Sequence, residues 1–222
     1  MNKIDHIVVG SHTLEEGTSF VEKKIGVKLS EIGYHHHMGT HNRVVKISPQ
    51  IYLEVIAINP NSKKPKYERW FNLDNIEQQS KLKKSPRIIG YVIENNDLEM
   101  LKFYAPFFKA SRGDYKWEFA SPKSGISPVD DELIESGLVP SLIKWKSQKP
   151  IDQMNYNHLE LEKFQIEFAQ SQIKHQDYMK VLGAVDKLEY AIEKDANILS
   201  IKEYPKFNVI IKDKQKNLTI RL

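Results

Sequence analysis

The sequence contains no cysteine. Disulfide bonds, thiolate metal sites and a cysteine nucleophile are therefore excluded. Any metal site must instead be built from histidine, carboxylate or other oxygen ligands.

Long apolar runs and common catalytic motifs are also missing. No stretch of about 18 apolar residues is present, and Asp5 and His6 interrupt the first apolar run. A glycine-rich phosphate loop, a nucleophile elbow and a paired-histidine zinc helix are absent, which disfavours nucleotide-dependent and serine-hydrolase mechanisms. We expect a cytoplasmic protein with no membrane partner.

The charge is nearly balanced, with 33 basic and 29 acidic residues and a net charge of +4. The densest basic clusters are Lys63–Lys66 and Lys81–Arg87, and neither carries an aromatic stacking ladder. A solvated linker therefore explains them better than a nucleic-acid surface, and we expect no nucleic-acid partner.

The first 58 residues predict the order β-α-β-β-β. Residues 3–10 carry several β-branched side chains and end at a glycine, as a buried strand does. Thr13 and Glu16 form a capping box for a helix that ends at Gly26. Strands are predicted near 27–34, 43–48 and 50–58, with a histidine-rich turn over 35–42.

The opening pattern returns after a polar connecting segment at 59–85. Shifting the sequence by 84 positions places Leu98 on Leu14 and Val92 on Val8, which indicates a faint repeat. A strand at 88–93, a helix from Asp97, and strands at 114–121 and 139–147 give a second module over 86–150.

The remaining residues predict a third, divergent module over 158–222, with a helix at 174–183. Its strands are expected at 158–168, 187–194, 198–203, 206–213 and 217–222. The predicted fold is α+β. Repeated βαβββ-like modules pair curved mixed sheets around a cleft, with helices on the outer faces.

Several ordered stretches carry a resemblance to a known family. They include Ile4–Val9, Met38–Asn42, Ile51–Ile56, Ser111–Trp117 and Leu138–Trp145. Together they resemble the glyoxalase-like domain of the vicinal-oxygen-chelate superfamily (glyoxalase, bleomycin resistance, dioxygenase), strongly over 1–150. The resemblance implies paired βαβββ modules and a concave face that holds a divalent metal (Mn, Fe, Ni or Zn) or a small ligand. A homodimer is one possible assembly. Fold resemblance leaves the reaction open.

Strand parity brings two candidate ligands together. Side chains alternate between faces, so His6 and Glu54 share the open face if their strands belong to one sheet. Imidazole and carboxylate suit a divalent metal, and the resemblance implies ligands at these positions. A hydrogen-bonded His6–Glu54 pair without metal, suited to proton transfer, is the alternative.

The remaining candidates come from the turn and the aromatic residues. The turn offers four candidates for a third metal ligand or a general base, His35, His36, His37 and His41. Of these, His37 is proposed as the metal ligand and His41 as the general base beside Glu54; a solvated loop explains these histidines equally well. Asn42, Tyr52, Trp117 and Trp145 are candidate substrate-binding residues, although core packing would also use the aromatic rings. In the glycine-containing turn, Arg112 and Asp114 are expected to pair locally.

Two functions remain open. The first is an enzyme acting on a small oxygenated organic molecule by metal-assisted lyase, isomerase or dioxygenase chemistry, or by proton transfer. The second is a binding protein that sequesters a small molecule in an aromatic-lined cleft, as bleomycin-resistance proteins do. Glycine at position 90, the counterpart of His6, favours the second. The pairing of His6 with Glu54 favours the first, which is the preferred interpretation.

Overall fold

The computed structural model describes residues 2–97, 107–122, 137–169, 183–193 and 205–222. In chain order its elements are β1 (Lys3–Gly10), α1 (Leu14–Ile25), β2 (Gly33–His35), β3 (Thr40–Ser48), β4 (Ile51–Ile58), a 3₁₀ turn (Trp70–Asn72), α2 (Ile76–Lys84), β5 (Arg87–Glu94), β6 (Phe107–Arg112), β7 (Tyr115–Ala120), β8 (Ser141–Trp145), α3 (Pro150–Gln153), β9 (Leu159–Ala169), β10 (Leu188–Glu193), β11 (Lys206–Asp213) and β12 (Leu218–Arg221).

Strands β1–β8 form one mixed sheet in the order β2-β3-β4-β1-β5-β8-β7-β6. Each half has the same pairing. Its first strand runs parallel to its last (β1 with β4, β5 with β8), and the middle strands are antiparallel neighbours. The α+β class with βαβββ-type strand pairing is confirmed.

The two halves meet where β1 and β5 pair antiparallel, with Ile7 opposite Tyr91. These partners lie 84 positions apart (91 − 7), the offset at which the sequence repeats. An antiparallel pair at this offset relates the halves by an approximate twofold rotation. The counterpart of His6 is therefore Gly90.

The faces of the sheet are buried in different ways. Helix α1 begins at the predicted capping box of Thr13 and Glu16 and ends at Gly26, whose φ of 69° suits glycine. Its buried Val21 and Ile25 belong to the same apolar cluster as the outward side chains of β1 and β4. The inward side chains form a second cluster, rich in aromatic rings.

A second sheet covers the outer face. Its order is β10-β9-β11-β12, and β9 runs parallel to β10. Phe164 of β9 is fully buried and packs edge-on against Tyr91 of β5, with ring centroids 5.3 Å apart. The C-terminal residues therefore complete the main core. The boundaries of the three modules remain predictions.

Three elements differ from the sequence-based expectation. The strand expected near 27–34 is limited to Gly33–His35. The 59–85 segment, expected only to connect, contains helix α2, whose N-cap Asn75 accepts from the amide of Gln78. Its buried Leu82 joins the inward cluster. Strand β6 was also not predicted. The helices predicted from Asp97 and over 174–183, and the strand at 198–203, fall largely or wholly outside the described residues.

The main sheet curls until its edge strands meet. Arg112 at the end of β6 approaches His35 at the end of β2, with 3.2 Å between Arg112 Nη1 and His35 Nε2. Because β2 and β6 are the outermost strands, this contact nearly closes the sheet around its inward side chains. Within the described residues, no helix has the length and apolar character needed to cross a membrane.

Candidate functional site

A pocket opens inside the curled sheet, with a volume of about 460 Å³ including its mouth. Its lining residues are His6, His35, Asn42, Val44, Tyr52, Glu54, Trp70, Phe71, Arg112, Trp117, Phe119, Ile143, Trp145 and Pro150. The first half of the sheet supplies most of the polar side chains, and the second half supplies mostly apolar ones.

The predicted proximity of His6 and Glu54 is confirmed. Their strands are neighbours in one sheet, and His6 Nε2 lies 3.4 Å from Glu54 Oε2. Both side chains are buried, with residue exposures of 5%. The His6 ring also stacks on Tyr52, with centroids 4.7 Å apart. The two residues therefore form one buried charged pair on the wall of the pocket.

Asp5 joins this pair because of a β-bulge. The register between β1 and β5 shifts between Ile4 and His6, which leaves Asp5 as the extra residue. Asp5 Oδ1 lies 2.6 Å from His6 Nδ1, and its other carboxylate oxygen accepts from Trp145 Nε1 at 2.8 Å. Strict alternation would place Asp5 on the opposite face from His6. Both ring nitrogens of His6 thus face carboxylates.

Asn42 links Glu54 to an arginine from the other half of the sheet. Its amide nitrogen donates to Glu54 Oε1 at 2.6 Å, and its carbonyl oxygen accepts from Arg112 Nη1 at 3.1 Å. A Cβ at Gly33 would lie 2.3 Å from Asn42 Oδ1 and 2.5 Å from Arg112 Nη1. Only glycine leaves room for this approach. The expected local pair of Arg112 with Asp114 is not among the contacts of the described residues.

The charges in this network are set by their neighbours. Burial alone would lower the pKa of His6, but hydrogen bonds and charge from Asp5 and Glu54 raise it to about 9. Burial alone would raise the pKa of Glu54, whereas His6 holds it down at about 2. At neutral pH the pair is an imidazolium and a carboxylate.

The neighbouring His35 is neutral. Burial lowers its pKa to about 3, and the charge of Arg112 acts in the same direction. Its Nε2 therefore accepts from Arg112, while Nδ1 donates to the Thr40 hydroxyl at 3.2 Å. An uncharged acceptor thus holds the guanidinium group.

The opposite wall is aromatic. Trp117 and Trp145 lie with ring centroids 5.6 Å apart, and Trp70 packs edge-on against Phe119 at 5.5 Å. One cleft was expected to contain the candidate residues His6, Asn42, Tyr52, Trp117 and Trp145. All five line this pocket, so their common location is confirmed. All three tryptophans of the chain lie in it.

Comparison with known protein families shows to which family the chain belongs. The pattern that defines the Glyoxalase-like domain family matches residues 4–182, most of the sequence. The chain belongs to this family. The resemblance found in the sequence motifs is thereby confirmed, whereas no curated protein matches.

Solved structures resemble this glyoxalase-like chain only distantly. A variant of Streptomyces coelicolor methylmalonyl-CoA epimerase in complex with 2-nitronate-propionyl-CoA is 14% identical, with a TM-score of 0.43 and coverage of 67% of this chain and 98% of its own. A hypothetical protein from Bacillus halodurans is 14% identical, with a TM-score of 0.42 and coverage of 67% and 97%. The Mycobacterium tuberculosis methylmalonyl-CoA epimerase is 10% identical, with a TM-score of 0.41 and coverage of 68% and 91%.

Two predicted functional histidines of this glyoxalase-like protein lie away from the pocket lining. His41 points to the α1 side of β3; it lies near Glu15 and Tyr34, and its buried Nε2 has no hydrogen-bond partner within the described residues. His37 is exposed, with its ring 5.6 Å from Trp70 and 6.5 Å from Trp117. The histidine turn instead contributes His35, which the sequence analysis did not select.

The side chains around His6 do not fit a divalent metal. Across the described ranges, no group of three or more histidine, cysteine or acidic side chains could hold an ion. His6 Nε2 lies 3.4 Å from Glu54 Oε2, and His6 Nδ1 lies 2.6 Å from Asp5 Oδ1, so each ring nitrogen already contacts a carboxylate. Glu54 is engaged by Asn42 as well, and Arg112 places a further cation next to that amide.

The second half of the sheet does not complete a metal site either. Gly90 is the counterpart of His6, and the β5–β8 pairing makes Ser141 the counterpart of Glu54. Ser141 bonds the Ser121 hydroxyl at 3.0 Å. The counterparts of His6 and Glu54 in the second half thus supply neither an imidazole nor a carboxylate.

Proposed function

We propose that this glyoxalase-like protein binds a small oxygenated organic molecule in the pocket and does so without a metal held by His6 and Glu54. One observation carries the proposal. A wall of buried, mutually hydrogen-bonded polar side chains faces an aromatic wall across the open pocket inside the curled sheet. Such a cavity suits a ligand with one apolar face and a few oxygen atoms.

The substrate-binding residues of this proposal are Asn42, Tyr52, Trp117 and Trp145. The indole and phenol rings would cover the apolar part of the ligand. Asn42 Oδ1 and the hydroxyl of Tyr52 would meet polar atoms, because both residues line the pocket. Burial, the charges of Asp5 and Glu54 and a hydrogen bond to Asp5 raise the pKa of Tyr52 well above its usual value, so its hydroxyl stays neutral, donates to Asp5 and can accept from a ligand.

Tryptophan fluorescence tests the proposal, because all three tryptophans line the pocket. A panel of small ketones, carboxylic acids and aromatic alcohols should include compounds that change the emission saturably, both with and without a chelator. Replacing Trp117 with Leu should weaken binding of those compounds. Binding that disappears with the chelator and returns with Mn²⁺ or Zn²⁺ would contradict the metal-free part.

A second candidate is isomerase-type proton transfer by His6 and Glu54. The 3.4 Å contact between an acid and a carboxylate at the pocket wall favours it. Against it, Glu54 has a pKa of about 2 and is a weak base near neutral pH. NMR in D₂O would establish this activity if an acidic C–H of a bound ligand exchanges with deuterium and Glu54→Gln abolishes the exchange. If no exchange occurs, ligand binding is the only function supported.

A further inference from the structure

Arg112 is an unusual feature of the pocket wall. It comes from the edge of the second half, yet it is held by Asn42 and His35 of the first half, at 3.1 and 3.2 Å. The Tyr115 ring centroid lies 5.7 Å from the guanidinium carbon, and Gly33 leaves the space that the side chain occupies. Residues of three strands, β2, β3 and β7, therefore fix this cation in place.

Within the described residues, the guanidinium of Arg112 is not paired with a carboxylate. A guanidinium has five N–H donors, and the two acceptors found here both bind Nη1. Both acceptors are neutral, since His35 is uncharged and Asn42 is an amide. Among residues of the described ranges, none forms an ion pair with Arg112. The donors on Nη2 and Nε remain for another partner.

The other charged groups of the wall are already paired. His6 lies between Asp5 and Glu54, and the carboxylates receive further bonds from Trp145 and Asn42. Asn42 separates Glu54 from Arg112. Asp5, His6 and Glu54 together carry an excess negative charge, and their carboxylates accept hydrogen bonds from the neutral side chains of Trp145 and Asn42. Arg112 lies at the other end of this network, in the pocket lining.

The geometry points to Arg112 as the binding residue for the carboxylate of a flat apolar acid, whose body lies against the aromatic wall; this rests on the proposed function of the pocket. A guanidinium presents paired N–H donors that match the two oxygens of a carboxylate. Trp117 and Trp145 offer indole faces to an aromatic or otherwise flat ligand. The arginine would thereby provide the cationic group that binds ligand oxygen.

A matched pair of probes tests this inference in the unmodified protein. Phenylacetate and phenylacetamide have the same shape and differ in charge. In tryptophan-fluorescence titrations at pH 7 with EDTA, phenylacetate should bind at least tenfold more tightly than the amide. This comparison does not depend on whether any variant folds.

Variants then assign the difference to Arg112. Arg112→Gln should lose that tenfold preference because it weakens acid binding more than amide binding, and Arg112→Lys should keep part of it. Arg221→Gln, an exposed arginine on β12 of the other sheet, is the matched control and should behave as wild type. Circular dichroism confirms that each variant is folded.

The outcomes separate this inference from the proposed function. If both probes bind equally to wild type, or if Arg112→Gln keeps the preference for the acid, the arginine does not bind a carboxylate, although the pocket binds ligands. If neither probe nor any compound of the wider panel changes the emission, both the inference and the proposed function are wrong.

Discussion

Replacing Glu54 with Gln tests the buried network most sharply. The carboxylate accepts from Asn42 Nδ2 at 2.6 Å and from His6 Nε2 at 3.4 Å, and the residue is only 5% exposed. Glutamine keeps the shape but has one acceptor oxygen and an NH₂ group. One of the two donors must therefore face another donor inside the protein.

The expected cost follows from this mismatch. A buried unsatisfied donor costs about 1–3 kcal/mol, and breaking a buried ion pair costs about 3–5 kcal/mol. We expect a loss of about 3 kcal/mol, and thus a melting temperature roughly 6–12 °C lower for a chain of this size. Thermal unfolding by calorimetry at pH 6 measures the shift.

Glu189→Gln provides the matched control. Its carboxylate pairs with Lys163 and its side chain is 56% exposed, so the change should cost about 0–1 kcal/mol. If Glu54→Gln lowers the melting temperature no more than this control, the His6–Glu54–Asn42 network does not form in solution, and the polar wall of the pocket is wrongly assigned.

Four further changes test other parts of the structure. Folding raises the pKa of His6 from 6.5 to about 9. The contribution of its charge to the free energy of unfolding is therefore complete below about pH 6.5 and is lost as the pH rises through 9. Urea unfolding should show that the difference in unfolding free energy between wild type and Glu54→Gln becomes smaller over that range. Gly33→Ala should weaken phenylacetate binding, measured by fluorescence, because its methyl group displaces Arg112. His41→Gln should leave that binding unchanged, since His41 lies outside the pocket lining. Phe164→Ala should cost about 3–5 kcal/mol in urea unfolding because it removes a fully buried ring.

Strand alternation predicted the central pair of the site. The parity of His6 on β1 and Glu54 on β4 required only that both strands share a sheet, and β-branched runs identified both strands. The capping box of Thr13 and Glu16 likewise marked the start of α1, because it depends on side chains only three residues apart. Local, periodic signals were thus sufficient for the first half.

The rest of the site depends on tertiary structure. Asp5 faces the pocket because β1 bulges against β5, which strict alternation cannot foresee. Arg112 reaches Asn42 across 70 residues because the sheet curls until its edges meet. His35, and not His37 or His41, lines the pocket because it ends β2 and pairs with Thr40, the first residue of β3. A run of histidines does not reveal these strand boundaries.

A crystal structure of the protein soaked with phenylacetate and Zn²⁺, recorded at the zinc absorption edge, tests the central claim most directly. The account predicts electron density for the acid between Arg112 and the Trp117–Trp145 wall, direct contact of His6 with Asp5 and Glu54, and no anomalous peak beside His6. A zinc peak bound by His6 and Glu54, with the imidazole turned to the metal, would contradict it.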